Sequence, residues 1–146
     1  MTSSAYITEY IDHDELARLV RDPSNVPGKD YLVIDVRTDD YAGGHIPHGL
    51  NVPAHQFRDF VPYILTNYAT VPLFVVHCAL SQVRGPKSAR ILREILADRA
   101  PTGPDAVKPQ VKVLRGGITQ WVQEYRNDAQ LIAEFDHELW DGERDY

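Results

Sequence analysis

One short segment of the chain combines a thiol with an arginine at a spacing that suits chemistry on an oxyanion. Cys78 is the single cysteine among the 146 residues, and Arg84 follows it after five intervening residues. An apolar run at 73–76 precedes the segment, and Gly85 and an amphipathic stretch at 87–96 follow it. A strand, a tight loop and a helix N-terminus bring backbone N–H groups together around an anion, and such surroundings favour a reactive thiolate. We therefore expect a thiolate nucleophile at the base of an oxyanion-binding loop.

The six residues after Cys78 have the length of a phosphate-binding loop. Their N–H groups can point at the three non-bridging oxygens of a phosphoryl group, and Arg84 can add a bidentate guanidinium fork. The predicted reaction is in-line attack of Cys78 on phosphorus, followed by hydrolysis of the cysteinyl-phosphate by water. The predicted substrate-binding residues are Ala79, Leu80, Ser81, Gln82, Val83 and Arg84.

The leaving oxygen normally takes a proton from a general acid. No side chain inside the loop is suited to supply it, since Ser81 is a weak acid and the others are apolar, amide or permanently cationic. The proton must therefore come from another part of the protein, from water or from the substrate.

Composition and charge restrict the classes of function. A chain of 146 residues with 43% hydrophobic residues is long enough and apolar enough to form the core of one domain. Residues 127–146 hold seven acidic side chains against one basic, which accounts for the whole net charge of −6. A neutral body with an acidic tail gives no support to nucleic-acid binding. The sequence contains no run of 18 apolar residues, so no membrane-spanning helix is predicted. With one cysteine and no secretory pattern at the N-terminus, we expect an intracellular protein, cytoplasmic or nuclear.

Strand and helix patterns alternate along the chain. Strands are predicted at 6–11, 31–36, 73–77 and 111–114, helices are predicted between and after them, and the Gly- and Pro-rich stretch 39–53 is predicted to be irregular. Asp12 and Glu15 are predicted to form a capping box at the first helix. This alternation predicts a parallel sheet covered on both faces, with ligands bound at the carboxyl ends of the strands.

The acidic tail carries an apolar pattern of its own. Leu131, Phe135 and Leu139 are spaced by four residues, which predicts an amphipathic helix that packs on the body or extends from it.

Three further segments resemble the rhodanese family. They are V-I-D-V-R at 33–37, G-H-I-P-H-G-L-N-V-P at 44–53, and L-R-G-G-I-T-Q-W at 114–121. The resemblance covers residues 5–126 as a rhodanese-like catalytic domain, with 127–146 as a helical tail. It implies an α/β fold with a central parallel sheet of about five strands and helices on both faces.

The loop itself is similar to the longer-loop branch of that family. The pattern H-C-x-x-S-x-x-R-G-P resembles that of cell-cycle dual-specificity phosphatases and of small fungal and plant arsenate reductases, whereas sulfur-transferring members have a loop one residue shorter. This implies that Cys78 and Arg84 are catalytic, and we expect His77 and Asp35 to support them. Mitotic phosphatases carry an acidic residue where this chain has Ala79, and zinc-binding members have extra cysteines that it lacks. No metal or other cofactor is therefore expected.

These observations predict a cysteine-dependent phosphatase that acts on a phosphorylated protein or a small aryl phosphate. The alternative is an arsenate reductase, for which glutathione, with glutaredoxin as a partner, would supply the second thiol. A sulfurtransferase is less favoured because of the loop length. A non-catalytic phosphate-binding module is less favoured because a binder needs no thiol.

Overall fold

Among the residues that the structure describes, five parallel strands and five α-helices make up the fold. The structure is a computed structural model that describes residues 7–99 and 108–141. The strands form one sheet in the order β1-β5-β4-β2-β3, and every neighbouring pair is parallel. The fold class predicted from the sequence is therefore confirmed. In chain order the elements are β1 (Tyr10–Ile11), α1 (His13–Arg21), β2 (Leu32–Asp35), β3 (Leu50–Asn51), a 3₁₀ turn (Ala54–Gln56), α2 (Phe57–Asn67), β4 (Leu73–His77), α3 (Arg84–Asp98), β5 (Gln110–Leu114), α4 (Gly117–Tyr125) and α5 (His137–Asp141).

The central strands β2 and β4 are apolar at almost every position because helices cover both faces of the sheet. Alternate side chains enter opposite cores, so Val76 packs with helices α2 and α3, while Val75 packs with α1 and α4. Each fully buried aliphatic side chain of this kind contributes about 1.5–3 kcal/mol. The end of β4, where Cys78 follows, is therefore held in a rigid position.

Three local predictions differ from the structure. The first strand is only two residues long, and β3 lies inside the stretch 39–53 that was predicted to be irregular. Asp12 precedes α1 as expected, but its side chain makes no capping hydrogen bond. It accepts a hydrogen bond from Arg115 Nε at 3.0 Å instead, which ties α1 to the end of β5.

Residues 127–141 of the tail are part of the folded unit, and most of them are not helical. Within this range only α5 forms a helix, so the helix predicted across Leu131 and Phe135 is wrong over that stretch. Leu131 is fully buried, and its carbonyl accepts a hydrogen bond from Trp121 Nε1 at 2.9 Å. Ala133 pairs with His45 in an antiparallel bridge, which fixes the irregular backbone in place. Residues 142–146 of the predicted tail lie outside the described residues.

Within residues 7–99 and 108–141, no helix has the length and apolar character that crossing a membrane requires.

Candidate active site

The Cys78 thiol lies at the carboxyl end of the central strand β4. Cys78 is 3% exposed, and its sulfur accepts hydrogen bonds from the N–H groups of Ser81 at 3.2 Å and Gly85 at 3.3 Å. Ser81 adopts a left-handed backbone conformation, with φ of 57°, and its Oγ accepts a hydrogen bond from Cys78 N at 3.4 Å. The loop therefore curls back on the sulfur, and two backbone donors face the atom that would act as the nucleophile.

Arg84 begins α3 and spans the space between the loop and the segment after β2. Its guanidinium donates two hydrogen bonds to the carboxylate of Asp40, at 3.0 and 2.7 Å. The hydrogen bond from Arg84 is the main cause that lowers the pKa of Asp40 to about 2. The pKa of Arg84 is raised mainly by Asp40, and Cys78 raises it further. Arg84 is thus a fixed positive charge beside the thiol.

The other predicted binding residues have side chains that are exposed or half-buried. Leu80 and Val83 are 52% and 71% exposed, and Gln82 is also exposed. Ala79 is half-buried, and its carbonyl accepts a hydrogen bond from Thr119 N at 3.0 Å. The described backbone contacts with the sulfur come from Ser81 and Gly85, and the larger apolar side chains of the loop are exposed to solvent.

The start of α4 supports the loop through two backbone hydrogen bonds. Ile118 N donates to the Cys78 carbonyl at 3.0 Å, and Thr119 N donates to that of Ala79. Gly117 has a left-handed φ of 59°, and a Cβ placed on it would lie 2.6 Å from the Cys78 carbonyl oxygen and closer still to that of Ala79. Only glycine allows the helix to approach the loop so closely.

His77 and Asp35, predicted as supporting residues, lie side by side on β4 and β2. His77 is fully buried, its Nδ1 donates to the Cys78 carbonyl at 3.1 Å, and its Nε2 lies 3.8 Å from Asp35 Oδ2. Burial lowers the pKa of His77, although the nearby Asp35 opposes that shift. His77 therefore supports the loop by holding the Cys78 carbonyl.

Asp35 forms a buried ion pair that anchors the segment after β2. Arg37 donates to both carboxylate oxygens of Asp35, with its closest contact at 2.7 Å, and both side chains are nearly inaccessible. Burial by itself would raise the pKa of Asp35, but His77 and Arg37 outweigh it and hold the pKa below its usual value. Arg37 also donates to the carbonyls of Asp40 and Gly44, so the pair positions the residue that contacts Arg84.

Two contacts of this site were not predicted from the sequence. Gly85 belongs to the predicted loop pattern, but no local signal indicated that its N–H donates to the Cys78 sulfur. Asp40 lies 44 positions from Arg84, and its only signal was that it follows a strand that ends at the same edge of the sheet.

Among residues 7–99 and 108–141, no cluster of three or more His, Cys, Asp or Glu side chains is arranged to hold a metal ion.

The chain is a parallel α/β domain in which a buried cysteine follows the central strand and an arginine follows that cysteine after five residues. Residues 12–124 match the model of the rhodanese-like domain. The chain belongs to the rhodanese-like family.

Individual relatives carry names that refer to two chemistries. The chain is 32% identical over 134 residues to "Dual specificity phosphatase ibp1" of Schizosaccharomyces pombe, which covers 84% of this chain and 94% of that protein. It is similar to the crystal structure of Saccharomyces cerevisiae Ygr203w, described as a homolog of single-domain rhodanese and of the Cdc25 phosphatase catalytic domain, with a TM-score of 0.74, 28% identity and coverage of 96% and 97%. It is also similar to an As-Sb reductase from Leishmania major, with a TM-score of 0.66, 25% identity and coverage of 96% and 100%.

Proposed function

We propose that the chain is a cysteine-dependent phosphatase for phosphate monoesters, acting on a phosphorylated protein or a small aryl phosphate. The observation that carries the proposal is the Cys78 sulfur, held by two backbone N–H groups beside the guanidinium of Arg84. The likeness to a dual specificity phosphatase over most of both chains supports the same chemistry.

The reaction proceeds in two displacements at phosphorus. The phosphoryl group enters between the loop N–H groups and Arg84, which turns part of its fork from Asp40 to the phosphoryl oxygens. The Cys78 thiolate attacks phosphorus, the S–P bond forms, and the bond from phosphorus to the ester oxygen breaks. Water then attacks phosphorus, the S–P bond breaks, and inorganic phosphate leaves with the thiolate restored.

Asp40 is not the proton donor in this scheme. With its pKa held at about 2, its carboxylate is ionised at neutral pH and accepts hydrogen bonds from Arg84. In this proposal the leaving oxygen takes its proton from water, which favours ester oxygens that leave easily, such as those of phenols. An aryl phosphate or a phosphotyrosine side chain fits this requirement better than an alkyl ester.

The test is hydrolysis of an aryl phosphate near neutral pH under reducing conditions. Cys78→Ser should abolish turnover, and Arg84→Lys should lower kcat/KM by about 100-fold, because a lysine cannot form the bidentate fork. Arg90→Lys makes the same exchange on an exposed position of α3 and should leave turnover unchanged. Turnover that survives Cys78→Ser would refute the proposal.

Arsenate reduction is the second candidate, because the arsenate ion has the shape and charge of phosphate and a named reductase shares the fold at 25% identity. Cys78 would form a thiol–arsenate adduct, and two external thiols would supply the two electrons, leaving arsenite and one disulfide. Glutathione with glutaredoxin is the proposed source of those thiols. If no Cys78-dependent arsenite forms in the presence of glutathione and glutaredoxin, this activity is eliminated. A separate assay of sulfur transfer from thiosulfate to cyanide tests the sulfurtransferase alternative.

A further inference from the structure

A cleft of about 340 Å³ opens beside the Cys78 loop. Three parts of the chain form its walls: the segment after β2, the loop together with the start of α4, and the tail helix α5. The residues that matter for the argument are Asp39, Asp40, Ala79, Thr119, Leu139 and Trp140. We call this feature the α5 cleft.

The α5 cleft begins where the proposed phosphoryl site ends. Ala79 is the neighbour of Cys78 in the chain, and Asp40 holds the guanidinium of Arg84. A phosphate ester bound by the loop N–H groups and Arg84 must direct its ester oxygen away from the sulfur, because displacement occurs in line. The α5 cleft is therefore an adjoining space that the group attached to that oxygen can occupy.

One wall of the α5 cleft carries the aromatic side chain of Trp140, which is held in place by a hydrogen bond. Trp140 Nε1 donates a hydrogen bond to the Gly43 carbonyl at 3.0 Å. Gly43 has φ of 104°, and a Cβ on it would lie 3.1 Å from Leu139 Cδ1, so α5 sits tightly on this glycine. An indole fixed in this way is a preformed surface for another aromatic ring.

The charge of the α5 cleft is negative on balance. Arg37 is neutralised by Asp35, and Asp40 is neutralised by Arg84. Asp39 has no hydrogen-bonding or ion-pair partner among the residues that the structure describes, and it is exposed. Its carboxylate repels an anionic group in the cleft and attracts a cationic one.

We propose that the α5 cleft binds the leaving group of the phosphate ester and selects aryl groups that are neutral or positively charged. This rests on the proposed phosphatase function, which it extends from a reaction to a substrate class. Trp140 supplies the stacking surface, and Asp39 supplies the discrimination against negative charge.

Direct binding of phosphonates, which are not hydrolysed, tests the cleft apart from turnover. By calorimetry, the wild-type chain should bind benzylphosphonate more tightly than methylphosphonate. Trp140→Ala should weaken benzylphosphonate binding by roughly 3- to 10-fold and leave methylphosphonate unchanged. Trp140→Phe, which keeps a ring at the position, should recover most of the loss, and Tyr63→Ala removes a remote exposed aromatic side chain on α2 as the control.

A set of benzylphosphonates that differ in the charge of the ring substituent tests Asp39 without any change in the tail. This test can therefore be made even if Trp140→Ala does not fold. The wild-type chain should bind 4-carboxybenzylphosphonate more weakly than benzylphosphonate, and Asp39→Asn should reduce that difference by roughly 3- to 10-fold. Binding of 4-(aminomethyl)benzylphosphonate should weaken in the same variant.

The outcomes separate the two proposals. Equal affinity of the wild-type chain for benzyl- and methylphosphonate, alongside Cys78-dependent hydrolysis, would overturn the α5 cleft and leave the phosphatase function standing. Equal weakening of both ligands by Trp140→Ala would also overturn it, because the residue would then support only the fold. No binding of either phosphonate and no hydrolysis would overturn both.

Discussion

Replacing Gly117 by alanine tests how the fold holds the Cys78 loop. The added Cβ would lie 2.6 Å from the Cys78 carbonyl oxygen and closer to that of Ala79, and both oxygens belong to backbone that cannot rotate away. Normal contact requires a shift of roughly half an ångström or more. Either the loop or the first turn of α4 must therefore move.

The energetic cost has two parts. The left-handed φ of 59° at Gly117 costs a residue with a Cβ about 1–2 kcal/mol. Weakening the hydrogen bonds from Ile118 N and Thr119 N to the loop carbonyls adds about 1 kcal/mol for each bond lost. We expect Gly117→Ala to lower the free energy of unfolding by about 2–4 kcal/mol. A displaced loop should also lower kcat/KM for an aryl phosphate by up to about 100-fold.

Gly28→Ala is the matched control. Gly28 has a similar left-handed φ of 84°, but a Cβ there would make only an ordinary contact of 3.4 Å with the Tyr68 ring, far from the loop. Urea unfolding should show a backbone penalty in both variants, whereas the loss of hydrolysis should occur only in Gly117→Ala. If the two variants retain the same activity per folded molecule, the idea that α4 positions the loop is wrong.

Two carboxylates give further predictions. The pKa of Asp40 falls from 3.8 to about 2 on folding, so its stabilising effect is complete above pH 4 and is lost as the pH falls toward 2. Because the pair with Arg84 is partly exposed, the effect is below about 1 kcal/mol. The stability difference between wild type and Asp40→Asn, measured by urea unfolding, should shrink across that range, and a constant difference would contradict the reasoning. Asp35→Asn leaves Arg37 buried without its counter-ion and should cost about 3–5 kcal/mol; unfolding within 1 kcal/mol of wild type would show that the pair is dispensable.

The sheet and the loop could be predicted because their signals are local. Strands β2 and β4 are short apolar runs, and the spacing from Cys78 to Arg84 lies within one continuous segment. Strand β3 could not be found in this way, since it has only two residues and exists through pairing with β2.

The missed contacts depend on tertiary structure. A carboxylate such as Asp40 has the same local sequence signal whether it is solvated or paired with an arginine 44 residues away. Asp12 had a capping pattern, but the competing contact with Arg115 is 103 residues away. In the tail, a spacing of four between Leu131 and Phe135 is also satisfied by an irregular chain that docks apolar side chains one at a time.

The match to the family model ends at residue 124, whereas the packed unit continues through α5. Trp121 Nε1 donates a hydrogen bond to the Leu131 carbonyl, and Trp140 lines the same cleft as Ala79 of the Cys78 loop. Of the residues in the two proposals, Cys78, Arg84 and Asp39 lie inside the matched range, whereas Trp140 lies beyond it. A change confined to α5 would therefore alter the wall of the α5 cleft without changing Cys78, Arg84 or the strands that position them.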